Sequence, residues 1–126
     1  MKQPIKTDTS PTAIGPYSQA VRAGDTLYIS GQIPLNPASM TIISDDICEQ
    51  INQVLDNLLA ILKTAGITFD HVVKFTVYLT DLEHFSHVND LMEKRLNEPY
   101  PARAAIEVAG LPRGAQVEID AIAHLS

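Results

Sequence analysis

Ile47-Cys48-Glu49-Gln50-Ile51-Asn52-Gln53-Val54-Leu55-Asp56-Asn57-Leu58-Leu59-Ala60-Ile61-Leu62 spaces its apolar residues three and four apart, whereas Val73-Lys74-Phe75-Thr76-Val77-Tyr78-Leu79 spaces them two apart. The first spacing winds Ile47, Ile51, Val54, Leu55, Leu58 and Leu62 onto one face of a helix. The second sets Val73, Phe75, Val77 and Leu79 on one face of a strand. Asp46 with Glu49 predicts a capping pair, and Gly66 after Ala65 predicts a left-handed stop. An amphipathic helix leading into a half-buried strand points to helices layered on a sheet.

Towards the C-terminus, Thr80 with Glu83 reads as a capping box for a second helix whose apolar stripe is Phe85, Val88, Leu91 and Met92. Pro99 and Pro101 end that helix. Ala102 to Val108 alternates again, with Ala104, Ile106 and Val108 on one side and Arg103, Ala105 and Glu107 on the other. The last strand sets Val117, Ile119, Ala121 and Ala123 against Glu118, Asp120, Ile122 and His124. Towards the N-terminus, Gln19 to Arg22, the turn Ala23-Gly24-Asp25 and Leu27 to Ser30 form a hairpin starting near Tyr17. The first sixteen residues, rich in Pro, Thr and Ser, read as an extended lead-in without a regular element.

The order is ββαβαββ, a single α+β domain over residues 1–126 with two helices on one face of a mixed sheet. If helices cover the Val117/Ile119 face, the other face carries Ile122 and Ala105 beside Arg103, Glu118 and Asp120, too mixed for a plain solvated surface. It is expected to be a subunit interface. Packing such faces in a closed ring buries Ile122 and brings charged groups of neighbouring chains into shared clefts.

Composition excludes several classes. Nine basic against fifteen acidic residues, a net charge of −6, and no basic run argue against nucleic acid as a partner. No apolar run reaches the roughly 18 residues of a transmembrane helix, so no membrane partner is expected. The first residues have no apolar stretch after their lysines, which suggests a cytoplasmic location. The single cysteine, Cys48, leaves no intrachain disulfide or thiolate cluster and reads as core or near-core.

Among candidate functional residues, Arg103 lies in the small, apolar stretch Pro101-Ala102-Arg103-Ala104-Ala105-Ile106. Its planar guanidinium matches a carboxylate, and its small neighbours leave room for one; the alternative is a solvated surface arginine. Glu118 is either an edge charge or ion-pair partner of Arg103 or Arg113, or a carboxylate in a cleft that orients water. His84 and His87 stand three apart, but no third metal ligand is evident, and a polar helix face accounts for them. Neither a phosphate-binding glycine loop nor a Gly-x-Ser-x-Gly elbow is present.

Four stretches carry a resemblance: Ala13-Ile14-Gly15-Pro16-Tyr17-Ser18-Gln19-Ala20; Ser30-Gly31-Gln32-Ile33-Pro34; Pro101-Ala102-Arg103 running through Glu107-Val108-Ala109-Gly110-Leu111-Pro112; and Val117-Glu118-Ile119-Asp120-Ala121-Ile122-Ala123. Together, in this order and spacing, they resemble the RidA (formerly YjgF) family over essentially the whole chain. The resemblance implies a chorismate-mutase-like fold assembled as a homotrimer with three clefts between subunits. It also implies hydrolysis of 2-iminobutanoate and 2-iminopropanoate to 2-keto acids and ammonia, with no metal and no organic cofactor. In family terms Arg103 matches the clamp on the substrate carboxylate, Glu118 the acid near the attacking water, and Tyr17 and Gly31 the cleft lining. Asn89 stands near a helix position that contributes to its wall. Tyr17 is expected to contact the imine nitrogen or close the pocket.

The chain departs from the common Arg-Ser-Cys pattern, because Ala104 and Ala105 follow Arg103. No cysteine is available there as nucleophile or donor, although the backbone N–H of Ala105 remains to bind a substrate oxygen. Gly110 stands where many relatives carry a larger residue. This departure keeps a second class of function open, a keto-acid-binding or sensing protein without turnover. A third, endoribonuclease or translation inhibitor, fits the acidic balance least.

Overall fold

Asp46 opens the long helix as expected: its carboxylate accepts the Glu49 N–H at 2.9 Å, capping α1 (Ile47–Thr64). Gly66, at φ +81°, follows its last turn. The computed structural model describes all 126 residues, Met1–Ser126. Around α1 stand β1 (Gln3–Ile5), β2 (Ala20–Ala23), β3 (Thr26–Gln32), β4 (Val72–Leu79), α2 (Phe85–Arg95), β5 (Ala102–Glu107) and β6 (Val117–His124). Single 3-10 turns occupy 69–71, 82–84 and 112–114. No helix is long and apolar enough to cross a membrane.

The six strands form one sheet in the order β1-β2-β3-β6-β4-β5, in which only β4 and β5 are hydrogen-bonded in parallel. Because β6 is antiparallel to both β3 and β4, those two strands run the same way, and α1 is the crossover between them. The connection from β4 through α2 to β5 repeats the move. Successive right-handed crossovers progressing in one direction land their helices on the same side of a sheet. Accordingly, residues of both helices, such as Leu58, Ile61, Val88 and Met92, share one core with Leu27, Phe75, Val77, Val117 and Ile119.

Several expectations need correction. The lead-in is not wholly irregular, because Gln3–Ile5 pairs with β2 as a short edge strand. The hairpin begins at Ala20 instead of Tyr17, since residues 15–18 bend around Gly15 at φ +125°. In β4 a bulge between Val72 and Lys74 shifts the phase: Val72 is buried and Val73 stands outside. Thr80 does not cap the second helix. Its N–H still bonds to the carbonyl of Gln116; Asp81, accepting from Glu83 N at 2.9 Å, caps the 3-10 turn at 82–84, and α2 itself starts after His84 with no side-chain cap. That helix ends at Arg95, ahead of the prolines, where Leu96 turns extended and buries its side chain.

The largest correction concerns the faces of the sheet. In the β4–β5 register, Phe75 lies beside Arg103 and Val77 beside Ala105, so Arg103 and Ala105 share the helix side. Ala104 and Ile106 occupy the open side, alongside Thr76 and Tyr78 and, one strand further, Asp120 and Glu118. Arg103 therefore does not lie beside Glu118, although Ile122 and Asp120 do share the open face with it.

Candidate active site

Glu118 sits on the central strand β6, so it is not an edge charge, and it has no ion pair; the chain's pairs are Arg22–Asp25 and Arg95–Asp56. Its position depends on an irregularity in the neighbouring strand. Between Ile29 and Gln32 the β3–β6 register slips, bulging Ser30-Gly31. At Gly31 this leaves space that the Glu118 carboxylate fills. A β-carbon on residue 31 would fall 2.9 Å from Glu118 Cδ and 3.2 Å from Cγ, and would collide with Oε2. Glycine is required here for close approach, since residue 31 is not in the left-handed region.

Half-burial, and then the negative charge of Asp120 two residues along the same face, raise the Glu118 carboxyl above its ordinary pKa of 4.5. Tyr78, beside Glu118 on β4, donates its hydroxyl to Asp120 Oδ2 at 3.0 Å. That bond, followed by burial and by the charges of Asp120 and Glu118, holds the Tyr78 proton above its usual pKa. The open face thus carries an acid poised to exchange a proton.

Glu118, Gly31 and Tyr17 line one cavity of about 530 Å³, together with Met40 and Arg113. Its rim is the N-terminal lead-in, held by a buried amide: Gln19 Nε2 donates to the carbonyls of Thr7 (3.0 Å), Ser10 (3.2 Å) and Pro11 (2.7 Å), while its Oε1 accepts from Thr7 N. The half-exposed Tyr17 closes a local turn in which its hydroxyl accepts from Ile14 N. The far wall is tied to α1 by two more buried amides. Asn57 donates to the carbonyls of Ile33 and Leu35, and Gln50 donates to the carbonyl of Ser44 and accepts from Gln116 N.

Arg103 belongs to a second cavity, of about 570 Å³, lined also by Asn89, Met92, Glu93, Glu98 and Tyr100. Its guanidinium stacks 4.7 Å from the centroid of the Phe85 ring and points one N–H at Met92 Sδ, 3.8 Å away. A cation over an aromatic face, without a carboxylate partner, is fixed in place and still has donors for a ligand. Ala105 packs against the core and lines neither cavity. Each predicted site residue except Ala105 is thus in a cavity, but one chain does not bring Arg103 and Asn89 together with Tyr17, Gly31 and Glu118.

The rings of His84 and His87 lie 6.0 Å apart, and no third His, Cys, Asp or Glu completes a metal-binding group. Cys48 is partly exposed in the first turn of α1. The buried amides Gln19, Gln32, Gln50 and Asn57 were not anticipated from the sequence. A signal existed for two of them: Gln50 and Asn57 are seven apart and continue with Val54 and Ile61 along the buried helical face.

A raised carboxyl and an unpaired guanidinium, each in a surface cavity of a two-layer α+β scaffold, are the equipment of a small-molecule-binding protein. Comparison with known proteins narrows that class. A family model described as Endoribonuclease L-PSP matches residues 7–125. The chain belongs to this family, the RidA (YjgF) family. It is 48% identical over 124 residues to Protein DfrA of Myxococcus xanthus, covering 97% of this chain and 95% of that one. It is 50% identical over 119 residues to the 2-iminobutanoate/2-iminopropanoate deaminase of Bos taurus, covering 94% and 87%. Among solved structures, RidA from an Antarctic Psychrobacter superposes with a TM-score of 0.93 at 48% identity, covering 97% of this chain and 98% of that one.

Proposed function

We propose that this protein hydrolyses short 2-imino acids, 2-iminobutanoate and 2-iminopropanoate, to 2-keto acids and ammonia, in the cytoplasm and as a homotrimer. The observation carrying the reading is the raised Glu118 carboxyl, packed on Gly31 in the cavity lined by Tyr17. The name of the bovine relative supports the substrate class.

In this reading a site forms where one chain's Arg103 cavity meets the next chain's Glu118 cavity. Arg103 holds the substrate carboxylate with two charge-assisted hydrogen bonds, Asn89 forms part of the wall, and the Ala105 N–H binds a substrate oxygen. Glu118 takes a proton from water as the water oxygen bonds to the imine carbon. As the C=N electron pair moves to nitrogen, Glu118 returns that proton to it; Glu118 then carries the carbinolamine hydroxyl proton to the same nitrogen, and the C–N bond breaks to release ammonia as the carbonyl forms, with Tyr17 in contact with that nitrogen. The reaction as drawn uses no metal or organic cofactor.

Ala104-Ala105, in place of Ser-Cys, favours one rival reading: the cleft binds keto acids without turning over imines. Keto-acid release from freshly generated 2-iminobutanoate and 2-iminopropanoate, with semicarbazide as competing trap, separates the two. Wild type should accelerate release. Arg103→Ala should lose about 10²–10⁴-fold in kcat/KM, as two hydrogen bonds to a charged group are each worth about 1.5–3 kcal/mol. Glu118→Gln should lose about 10²–10⁴-fold in kcat with KM little changed. Keto-acid binding without any acceleration by wild type would replace the deaminase with the binding protein.

A further inference from the structure

The cavity holding Glu118 contains one charged residue for which the proposed reaction has no use, Arg113. Arg113 lies in the 3-10 turn that leads into β6, and its backbone sits in the left-handed region at φ 58°, ψ 23°. Only one other non-glycine residue has a positive φ: Met40, at 59°. The two residues are joined, since Arg113 Nη1 donates to the Met40 carbonyl at 2.6 Å, and both line this cavity. Uncommon backbone conformations persist where surroundings over-determine them, and they concentrate at ligand clamps and active sites.

The bond to Met40 accounts for one of the five N–H donors of a guanidinium. No carboxylate neutralises Arg113: it is in neither ion pair of the chain, and Glu118, in the same cavity, lies beyond ion-pair distance. Arg113 is therefore an exposed, tethered positive charge with free donors, in the wall of a cavity of about 530 Å³ that a three- or four-carbon acid leaves largely empty. A ligand whose 2-carboxylate is already taken by Arg103 needs a second anionic group to use it.

We propose that Arg113 is a specificity-determining residue that receives the side-chain carboxylate of dicarboxylic 2-imino and 2-keto acids, so that the site prefers them to ligands with aliphatic side chains. The inference rests on the reading above in placing the ligand in this cavity with Arg103 on its first carboxylate. It differs from a purely structural role, in which Arg113 only ties the loop containing Met40 to the turn before β6. A tie of that kind affects every ligand alike, whereas a specificity residue changes their ratio.

Calorimetric titration of the whole protein with 2-oxoglutarate and with 2-ketobutanoate, for wild type, Arg113→Gln and Arg113→Lys, measures that ratio. Wild type should bind 2-oxoglutarate more tightly. Arg113→Gln should weaken 2-oxoglutarate about 10- to 100-fold, the worth of a hydrogen bond between charged groups, and leave 2-ketobutanoate within about twofold. Arg113→Lys, which keeps a charge and a donor for the Met40 carbonyl, should recover part of the loss and serves alone if the glutamine variant fails to fold. Wild type without a preference for 2-oxoglutarate, or a Kd ratio unmoved by the substitutions, overturns the proposal. The deaminase reading fails separately: absence of imine turnover beside a collapsed ratio sinks the reaction and leaves the role of Arg113 standing.

Discussion

The two cavities are complementary in what they lack. The one between α2 and β5 has a guanidinium held by Phe85 and Met92 but not Glu118. The one at the β3 bulge has a raised carboxyl and a tyrosine but not Arg103. Strand geometry explains why one chain does not merge them. Arg103 is on the helix side of an edge strand, and Glu118 is on the open side two strands away in the order β6-β4-β5, about 10 Å across the strands and, opposite Tyr78 and Ile106, about as far again along them. A four-carbon acid does not span that separation through a sheet. It does bridge two chains if the open face of one, with Tyr28, Ile106 and Ile122 on it, packs where its Glu118 meets the neighbour's edge strand.

The contrast can be broken outright by mixing chains, and this is the largest effect expected. Arg103→Ala and Glu118→Gln are each predicted to be nearly inactive. In a randomly assembled ring from equal parts of both, a site needing Arg103 from one chain and Glu118 from the next is intact in about a quarter of cases. Co-refolding the two variants should therefore restore roughly a quarter of wild-type turnover, a gain of about 25-fold or more over either alone. No recovery, from mixtures shown by mass spectrometry to contain both chains in one oligomer, would mean that each site is built within a single chain.

Much of this arrangement was legible before any coordinates. α1 and β6 follow directly from their periods, because each has one face rich in Ile, Leu, Val or Ala and one that is not. β1 was not legible: three residues including Pro4 have no period, and the strand exists because β2 offers an edge and Gln19 anchors the chain that follows. Val73 was misplaced because a bulge changes phase without leaving a mark in composition. Alternation in β5 correctly separated Arg103 from Ala104, yet both sides of that strand are small or mixed, so local pattern did not say which faced the helices. Only pairing with β4 decides that, and pairing is a non-local property. Gly31 could be read as a site residue by resemblance, while its physical reason, the carboxylate of residue 118 in the space above it, depends on the β3–β6 ladder.

Gly31 offers a sharper cut within the Glu118 cavity alone. In Gly31→Ala the new methyl group would occupy the place of Oε2, and the obstacle is the end of a flexible side chain instead of backbone. Glu118 should swing aside with little loss of stability. Displacing a catalytic group by about 1 Å costs on the order of 10²-fold, so kcat should fall by about that factor while Tm moves by no more than a few degrees. Thermal unfolding and steady-state kinetics on the same preparation check both halves. Undiminished turnover in a folded variant would mean that the carboxylate position over Gly31 is not the working one, and would shift the proton-handling role away from this cavity.

The smallest effect expected is a displacement of the pH profile. Glu118 acts as a base only when ionised, and burial together with Asp120 keeps its carboxyl protonated to a higher pH than an ordinary glutamate. The acid limb of kcat/KM should therefore lie above 4.5, the ordinary value. Asp120→Asn removes the repelling charge but not the burial, which is the larger cause, so the limb should move to lower pH without reaching the ordinary value. Stability follows the same sign. A carboxyl that holds its proton more tightly when folded than when unfolded favours the native state at low pH, and this contribution is lost as pH rises from the unfolded value through the raised one. Glu118→Gln should flatten that part of the stability profile. An acid limb that stays fixed or rises in Asp120→Asn would show that Asp120 does not tune Glu118, and would leave the Tyr78–Asp120 hydrogen bond as a structural feature of the open face and not part of its chemistry.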